Sequence, residues 1–146
     1  MTTVQASRVT QHVTGVSSCL VVADIDRAVD WYRRVLGLEL VSRLDMPERG
    51  ERVAFLGADG LRLELAERAG SAGLRRADPP EHGYVQGPSH VAFYVDDLTA
   101  VLALLELRAV PVTVGPVEVA PLGISVAFVR DLEDNLLEFV QVTGGR

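Results

Sequence analysis

Three histidines and one cysteine limit the metal and nucleophile chemistry open to this chain of 146 residues. The histidines are His12, His82 and His90, and the cysteine is Cys19. A single cysteine cannot form an internal disulfide, and it cannot build a cysteine-based zinc or iron–sulfur site. Any metal site must therefore draw mostly on carboxylates, with imidazole beside them.

Two glutamates lie in matching sequence surroundings in the two halves of the chain. Leu-Glu-Leu around Glu64 corresponds to Leu-Glu-Phe around Glu138, 74 residues later. Two further pairs of blocks match at an offset of 73, which indicates a duplicated unit of about 55 residues. The matched blocks are 17–24 with 90–97, 53–56 with 126–129, and 63–65 with 137–139.

The elements that must position these residues follow the order β-α-β-β-β in each unit. Apolar residues at spacings of 3, 4 and 7 predict a helix over 25–36, with Asp24 as its N-cap and Gly37 at its end. Asp96 or Asp97 is the corresponding cap of the second helix. The predicted strands are 16–23, 38–44, 52–57 and 61–67 in the first unit, and 89–95, 110–114, 124–130 and 135–142 in the second, whose helix is 98–108.

Strand alternation predicts that the polar residues of the repeats share one face of a curved sheet. Glu64 points away from its neighbours Leu63 and Leu65, and Glu138 likewise points away from Leu137 and Phe139. We expect these residues on the concave side. Cys19 is interpreted differently from the polar residues of this face, because a lone cysteine in an apolar strand is typical of a small hydrophobic residue of the core. The residues expected on this face are Ser17, Cys19, Arg62, Glu64, His90, Tyr94 and Glu138.

Three passages resemble the vicinal oxygen chelate superfamily, which includes glyoxalase I, methylmalonyl-CoA epimerase, extradiol dioxygenases, fosfomycin-resistance enzymes and bleomycin-binding proteins. These passages are residues 24–38, 87–97 and 128–138. The resemblance implies an α+β fold in which two tandem βαβββ modules form a curved mixed sheet around a cleft, with helices outside. We expect one domain over 1–146, with module 1 at about 16–68, a linker at about 69–87 and module 2 at about 88–143.

The resemblance also implies a metal site built from the first and last strands of both modules. The corresponding positions hold Ser17, Glu64, His90 and Glu138, and only Ser17 departs from the family's ligand types, because a histidine is usual there. The implied cofactor is a divalent metal, and imidazole with two carboxylates suits Ni²⁺, Zn²⁺, Mn²⁺, Co²⁺ or Fe²⁺. A shift of register that uses His12 is the alternative for the missing histidine.

Several functions remain open on this scaffold. The leading hypothesis is a metal-dependent isomerase, epimerase or lyase, in which Glu64 or Glu138 moves a proton on a substrate with neighbouring oxygens. The alternatives are a ligand-sequestering protein, a ring-cleaving dioxygenase, and a metal-free enzyme. In the metal-free enzyme, repulsion between the Glu64 and Glu138 carboxylates would raise the pKa of at least one of them and create a general base. A dioxygenase is disfavoured, since the usual iron set has two histidines.

The expected partners follow from charge and from the resemblance. A net charge of −6 without a basic cluster argues against nucleic acid, and no apolar run is long enough for a membrane span. A small-molecule substrate, a homodimer and a cytoplasmic location are therefore expected.

His82 and Tyr84 lie in the linker and are interpreted mainly as surface residues, with a flap over the substrate as the alternative. The candidate substrate contacts are Ser17, Cys19, Arg62, Tyr94, His82 and Tyr84.

Overall fold

The computed structural model describes residues 8–144, so the predicted domain ends at 1 and 146 lie outside the described residues. In this range the elements follow the predicted order. The strands are β1 (Ser18–Val22), β2 (Glu39–Met46), β3 (Glu51–Ala58), β4 (Leu61–Arg68), β5 (His90–Tyr94), β6 (Val112–Val119), β7 (Ile124–Arg130) and β8 (Leu136–Val142), and the helices are α1 (Ile25–Leu36) and α2 (Leu98–Leu107).

The strands form two mixed four-stranded sheets, one in each module. Their orders are β1-β4-β3-β2 and β5-β8-β7-β6. In both sheets the first and last strands of the module pair in parallel, and the remaining pairs are antiparallel. The parallel pairing follows from the helix that crosses over between the first strand and the rest. The α+β fold of two βαβββ modules is thus confirmed.

Local sequence signals fix both ends of α1 and the start of α2. The Asp24 carboxylate accepts the backbone N–H of Arg27 at 3.1 Å, and the Asp97 carboxylate accepts that of Ala100 at 2.9 Å. Gly37 closes α1 with a φ of 74°, a left-handed conformation that glycine adopts without strain. Asp97 is therefore the cap of the second helix.

One hydrophobic core joins the two modules. It is formed by α1 and α2 together with the inward faces of both sheets, including Leu63 and Leu65 of β4 and Leu137 and Phe139 of β8. The strand faces that carry Glu64 and Glu138 point away from this core, because alternate residues of a strand point to opposite sides. Within residues 8–144, no helix is long and apolar enough to cross a membrane.

A buried hydrogen bond links the modules through this core. The Tyr32 hydroxyl on α1 donates to Asp131 Oδ2 at 2.6 Å, and Asp131 is 5% exposed. Asp131 Oδ1 also accepts the backbone N–H groups of Glu133 and Asn135, at 2.8 and 2.9 Å. Burial and the nearby Asp131 charge raise the pKa of Tyr32 well above its usual value, so the phenol stays a proton donor.

Replacing Tyr32 with phenylalanine should therefore destabilise the protein. We expect Tyr32→Phe to lower the free energy of unfolding by about 1–3 kcal/mol, because it leaves a buried carboxylate with one partner fewer. Urea unfolding of the purified protein measures this loss. Tyr84→Phe is the matched control, since Tyr84 is 88% exposed and should change stability by less than about 0.5 kcal/mol. Equal urea midpoints for Tyr32→Phe and the wild type would contradict the expectation.

Candidate functional site

His90 and Glu138 form an imidazole–carboxylate pair on the outward face of module 2. Ala92 of β5 is the register partner of Glu138 on β8, and His90 lies two residues before Ala92 on the same face. His90 Nε2 and Glu138 Oε2 are 3.0 Å apart. Two ligands bound to one ion at about 2.0–2.2 Å stand roughly 3 Å apart at a right angle, so this pair fits two neighbouring positions of one metal.

The other nitrogen of His90 is also held. Ser89 Oγ lies 2.6 Å from His90 Nδ1, and a hydroxyl can either donate to that nitrogen or accept from it. Metal-binding histidines commonly donate their second N–H to an oxygen, which fixes the ring and leaves the first nitrogen available. Ser89 is therefore suited to orient His90 with Nε2 towards Glu138, and the sequence alone gave no sign of this role.

His82 lies against His90 and is half-buried, whereas its linker neighbour Tyr84 is exposed. Its ring centroid is 5.6 Å from that of His90 and 5.6 Å from that of Phe128, which is the β7 partner of Glu138. His82 Nδ1 is buried and has no hydrogen-bond partner among the described residues. The linker therefore adds a second imidazole to this face.

Arg130 at the end of β7 anchors the linker that carries His82. Its guanidinium contacts Asp78 Oδ1 at 2.5 Å and donates to the carbonyl of Arg76 at 2.9 Å. The hydrogen bond from Arg130 holds the pKa of Asp78 below its usual value. Arg76 in turn donates to the carbonyl of Val85 at 2.7 Å, beyond His82 in the chain. These bonds fix the linker on both sides of His82.

Glu64 in module 1 is paired with a thiol. Cys19 of β1 is its direct partner in the parallel register, so the Glu64 carboxylate lies close enough to the thiol to affect its ionisation. Cys19 is exposed, so its interpretation as a core hydrophobe was wrong. Partial burial, followed by the charge and hydrogen bond of Glu64, raises the pKa of this thiol.

The remaining predicted substrate contacts are open to solvent. Ser17 is exposed and precedes β1, and together with Arg62 it borders a surface depression of module 1. Tyr94 is 74% exposed at the end of β5, and Tyr84 is 88% exposed in the linker. None of these roles is tested by the structure, and they stay predictions.

Glu64 does not join His90 and Glu138 in one group of ligands within the described residues. Among residues 8–144, no group of three or more His, Cys, Asp or Glu side chains could hold a metal ion. The face that carries Glu64 instead presents apolar side chains to solvent, with Val21 60%, Leu44 55% and Phe55 44% exposed. Exposed apolar residues grouped on one face are typical of a surface that another molecule covers.

A cavity of about 280 Å³ lies beside His90, where the two modules and the linker meet. Its walls are the end of β1, linker residues 71–74 and the turn between β7 and β8. A volume of this size accommodates a small molecule at the lower end of the usual range for ligand sites. This cavity therefore leaves room for a small molecule next to the imidazole of His90.

Comparisons with known proteins identify relatives along most of the chain. Residues 10–139 match the sequence profile of the Glyoxalase/Bleomycin resistance protein/Dioxygenase superfamily. Lactoylglutathione lyase of Haemophilus influenzae is 34% identical over 123 residues, which cover 82% of this chain and 86% of that protein. Mitochondrial methylmalonyl-CoA epimerase of Mus musculus is 32% identical over 92 residues, which cover 60% of this chain and 47% of that protein.

The fold is shared with solved structures at lower sequence identity. A glyoxalase family protein from Enterococcus faecalis superposes with a TM-score of 0.70 and 21% identity, covering 88% of this chain and 95% of that one. This likeness concerns the fold alone. It agrees with the two βαβββ modules described above.

Removing the charge of Glu64 should make Cys19 more acidic. In metal-free protein we expect Glu64→Gln to shift the pH profile of thiol alkylation to lower pH, because the neighbouring carboxylate disfavours the thiolate. The rate of reaction with iodoacetamide between pH 6 and 10 measures the shift. Glu39→Gln, an exposed glutamate on β2, is the control and should leave the profile unchanged. An identical profile for Glu64→Gln would show that Glu64 does not act on the thiol.

Proposed function

Given that the chain belongs to the Glyoxalase/Bleomycin resistance protein/Dioxygenase superfamily, we propose that it is a divalent-metal-dependent lyase, isomerase or epimerase acting on a small molecule with neighbouring oxygens. The observation that carries this proposal is the pair of His90 Nε2 and Glu138 Oε2, 3.0 Å apart on the outward face of module 2. An imidazole and a carboxylate at this spacing can hold a metal or share a proton. Both abilities serve proton transfer next to a carbonyl group.

Glu64, His90 and Glu138 are the residues that would hold the metal. One imidazole and two carboxylates suit Ni²⁺, Zn²⁺, Mn²⁺, Co²⁺ or Fe²⁺, and the donor set does not choose among them. When bound, the metal supplies a Lewis acid that stabilises negative charge developing on a substrate oxygen. The imidazole of His90 and the carboxylates of Glu64 and Glu138 therefore have the chemistry that a divalent metal requires.

A second copy of the chain completes the site in this proposal. Glu64 of one protomer would meet His90 and Glu138 of its partner, which brings together three ligands that one chain keeps apart. The same contact would cover the exposed apolar side chains around Glu64, including Val21 and Phe55. A twofold dimer of this kind has two equivalent sites, since each protomer contributes one half to each.

Glu138 is suited to move the proton while His90 anchors the metal. Glu138 Oε2 lies 3.0 Å from His90 Nε2, which leaves Oε1 of the same carboxylate to accept a proton from substrate carbon. Ser89 keeps the imidazole oriented while this happens. The side chains of His90 and Glu138 are 26% and 15% exposed, so a proton held there remains open to exchange with solvent.

Thioesters of α-substituted acids are the proposed substrate class. The names of the two relatives point to lactoylglutathione and methylmalonyl-CoA, and both compounds are thioesters with an exchangeable proton beside the carbonyl. The cavity beside His90 accommodates the acyl part of such a molecule.

The proposed location is the cytoplasm. The free thiol of Cys19 suits a reducing compartment of this kind.

Exchange of the α-proton with solvent tests the proposed reaction. In D₂O, with Ni²⁺, Co²⁺, Zn²⁺ or Mn²⁺ added, we expect the protein to replace the α-proton of lactoylglutathione or methylmalonyl-CoA with deuterium. Proton NMR follows the loss of that signal against a sample without protein. Glu138→Gln should slow the exchange by about 10²–10⁴-fold, the usual contribution of a general base.

Glu118→Gln, which changes an exposed carboxylate of β6, is the matched control and should exchange at the wild-type rate. An exchange rate that is the same for the wild type, Glu138→Gln and the sample without protein would exclude this chemistry for both thioesters.

A mixed dimer tests whether the site is shared between two chains. We expect the Glu64→Ala variant and the His90→Ala/Glu138→Ala variant to be inactive alone. A heterodimer of the two, purified through different affinity tags, should recover about half the wild-type exchange rate, because one of its two sites is intact. Sedimentation confirms the dimer. A heterodimer without activity would contradict the shared site, since a site within one chain would be damaged in both partners.

A further inference from the structure

The two helices of the duplicated modules differ on the side that faces solvent. Each begins at an aspartate cap, Asp24 in α1 and Asp97 in α2, so their residues correspond at an offset of 73. Three exposed positions that are charged in α1 are apolar and exposed in α2. The pairs are Arg27 with Ala100, Asp30 with Ala103, and Arg34 with Leu107.

The charges of α1 are what a solvent-facing helix requires. Asp30 and Arg34 form an ion pair at 3.7 Å across one turn. The corresponding positions of α2 hold Ala103 and Leu107, and Leu107 is 82% exposed. Among the ten residues of α2, Glu106 alone is charged. A helix that is apolar on all sides is normally covered on all sides, so the outward side of α2 is suited to contact another molecule.

The exposed apolar residues of α2 share one side of the helix. Ala100, Ala103, Leu104 and Leu107 follow the spacing i, i+3, i+4, i+7, and we call this surface the α2 face. The same spacing forms the seam between two paired helices. Another helix is therefore the shape that this face fits.

We propose that the α2 face pairs with the α2 face of a second copy of this chain, antiparallel and about a twofold axis. An axis between residues 103 and 104 sets Ala100 opposite Leu107 of the partner subunit and Ala103 opposite the partner's Leu104. Every leucine then meets an alanine, so large and small side chains interdigitate. A twofold contact requires such a self-complementary surface. This inference does not rest on the proposed function.

The charges at the two ends of α2 favour the antiparallel arrangement. Asp96 and Asp97 are exposed at its start, and Arg108 is exposed at its end. In the proposed register Arg108 lies within about 3 Å, along the helix axis, of the level of the partner's Asp97. One N–H of Arg108 donates to the carbonyl of Val35 at 2.6 Å, and a guanidinium has four more donors. Opposite charges and antiparallel helix dipoles therefore attract at both ends, whereas a parallel pair would place acid beside acid.

The apolar surface continues from α2 onto the neighbouring strands. Leu61 of β4 and Tyr94 of β5 line one groove with Leu104, and they are 50% and 74% exposed. With Leu104 and Leu107 they present roughly 350 Å² of apolar surface on each chain, taking about 120 Å² for a leucine and about 200 Å² for a tyrosine. Two such surfaces, with the alanines and the charged ends, approach the roughly 1,000 Å² that a specific contact needs.

The α2 face and the candidate site use different surfaces. α2 packs on the core side of its sheet, whereas Glu138 and His90 lie on the opposite face of that sheet. Pairing through α2 therefore leaves the sheet faces open for the dimer proposed above. Two different twofold contacts in one chain generate a closed assembly of four chains.

The ion pair of α1 supplies the variant that tests this pairing. Ala103→Asp/Leu107→Arg gives α2 the charges that α1 carries at the corresponding positions, so the helix should remain folded. We expect sedimentation and light scattering to show four chains for the wild type and two for this variant. Arg27→Gln, on the exposed side of α1, is the control and should keep the wild-type mass.

An unchanged mass for the double variant would overturn the pairing, and so would a wild-type chain that stays monomeric. The α2 face would then belong to a partner of different sequence. Circular dichroism and urea midpoints confirm that the compared proteins are folded.

Cysteine crosslinking tests the register. In a Cys19→Ser background, Ala103→Cys lies next to its own copy across the axis, and oxidation with diamide should join two chains. Leu107→Cys is separated from its copy by about 10 Å along the axis, which is beyond the reach of a disulfide. A parallel pair would crosslink both variants, so a crosslink through Leu107→Cys would overturn the antiparallel arrangement.

Phe55→Glu separates this inference from the dimer of the proposed function, because Phe55 lies on the sheet face of module 1. A mass that Phe55→Glu leaves unchanged and Ala103→Asp/Leu107→Arg halves would support the α2 pairing and contradict the sheet-face dimer. The reverse pattern would overturn the α2 pairing and leave the sheet-face dimer in place.

Discussion

The buried carboxylate of Asp131 is the constraint on which the arrangement of the two modules depends. It lies at the turn between β7 and β8, where it accepts two backbone N–H groups and the Asn135 amide, and it also accepts the hydroxyl of Tyr32 from the other module. A buried charge is tolerated only when such bonds replace water. The same group therefore shapes the turn and fixes where α1 packs against module 2.

This packing determines where the candidate site residues lie. Because both helices and the inward faces of both sheets share one core, the faces with Glu64 and Glu138 point outward, on separate sheets. Each face carries one polar pair, Glu64 with Cys19 and Glu138 with His90. A buried cluster of like charges is thus avoided within one chain.

The sequence was sufficient for the fold and for the strand faces that carry Glu64 and Glu138. The caps Asp24 and Asp97 and the glycine at 37 predict the helices because they act through bonds to their nearest neighbours. Alternation places Glu64 and Glu138 correctly, since the strand period is local as well. The position of His82 could not be predicted, because an irregular linker has no period and its path depends on distant anchors such as Arg130. Cys19 was misjudged for a related reason: an apolar strand face that another molecule can cover has the same pattern as one facing the core.

The anchoring of the linker by Arg130 has an evolutionary consequence. Few bonds tie residues 69–87 to the modules: Arg130 binds Asp78 and Arg76, Arg75 pairs with Asp134, and the Ala69 N–H donates to the Gly50 carbonyl. Insertions and substitutions elsewhere in the linker therefore leave the energy of both modules nearly unchanged. They nevertheless alter one wall of the cavity next to His90. Divergence in this segment would therefore reshape the cavity while the two modules keep their stability.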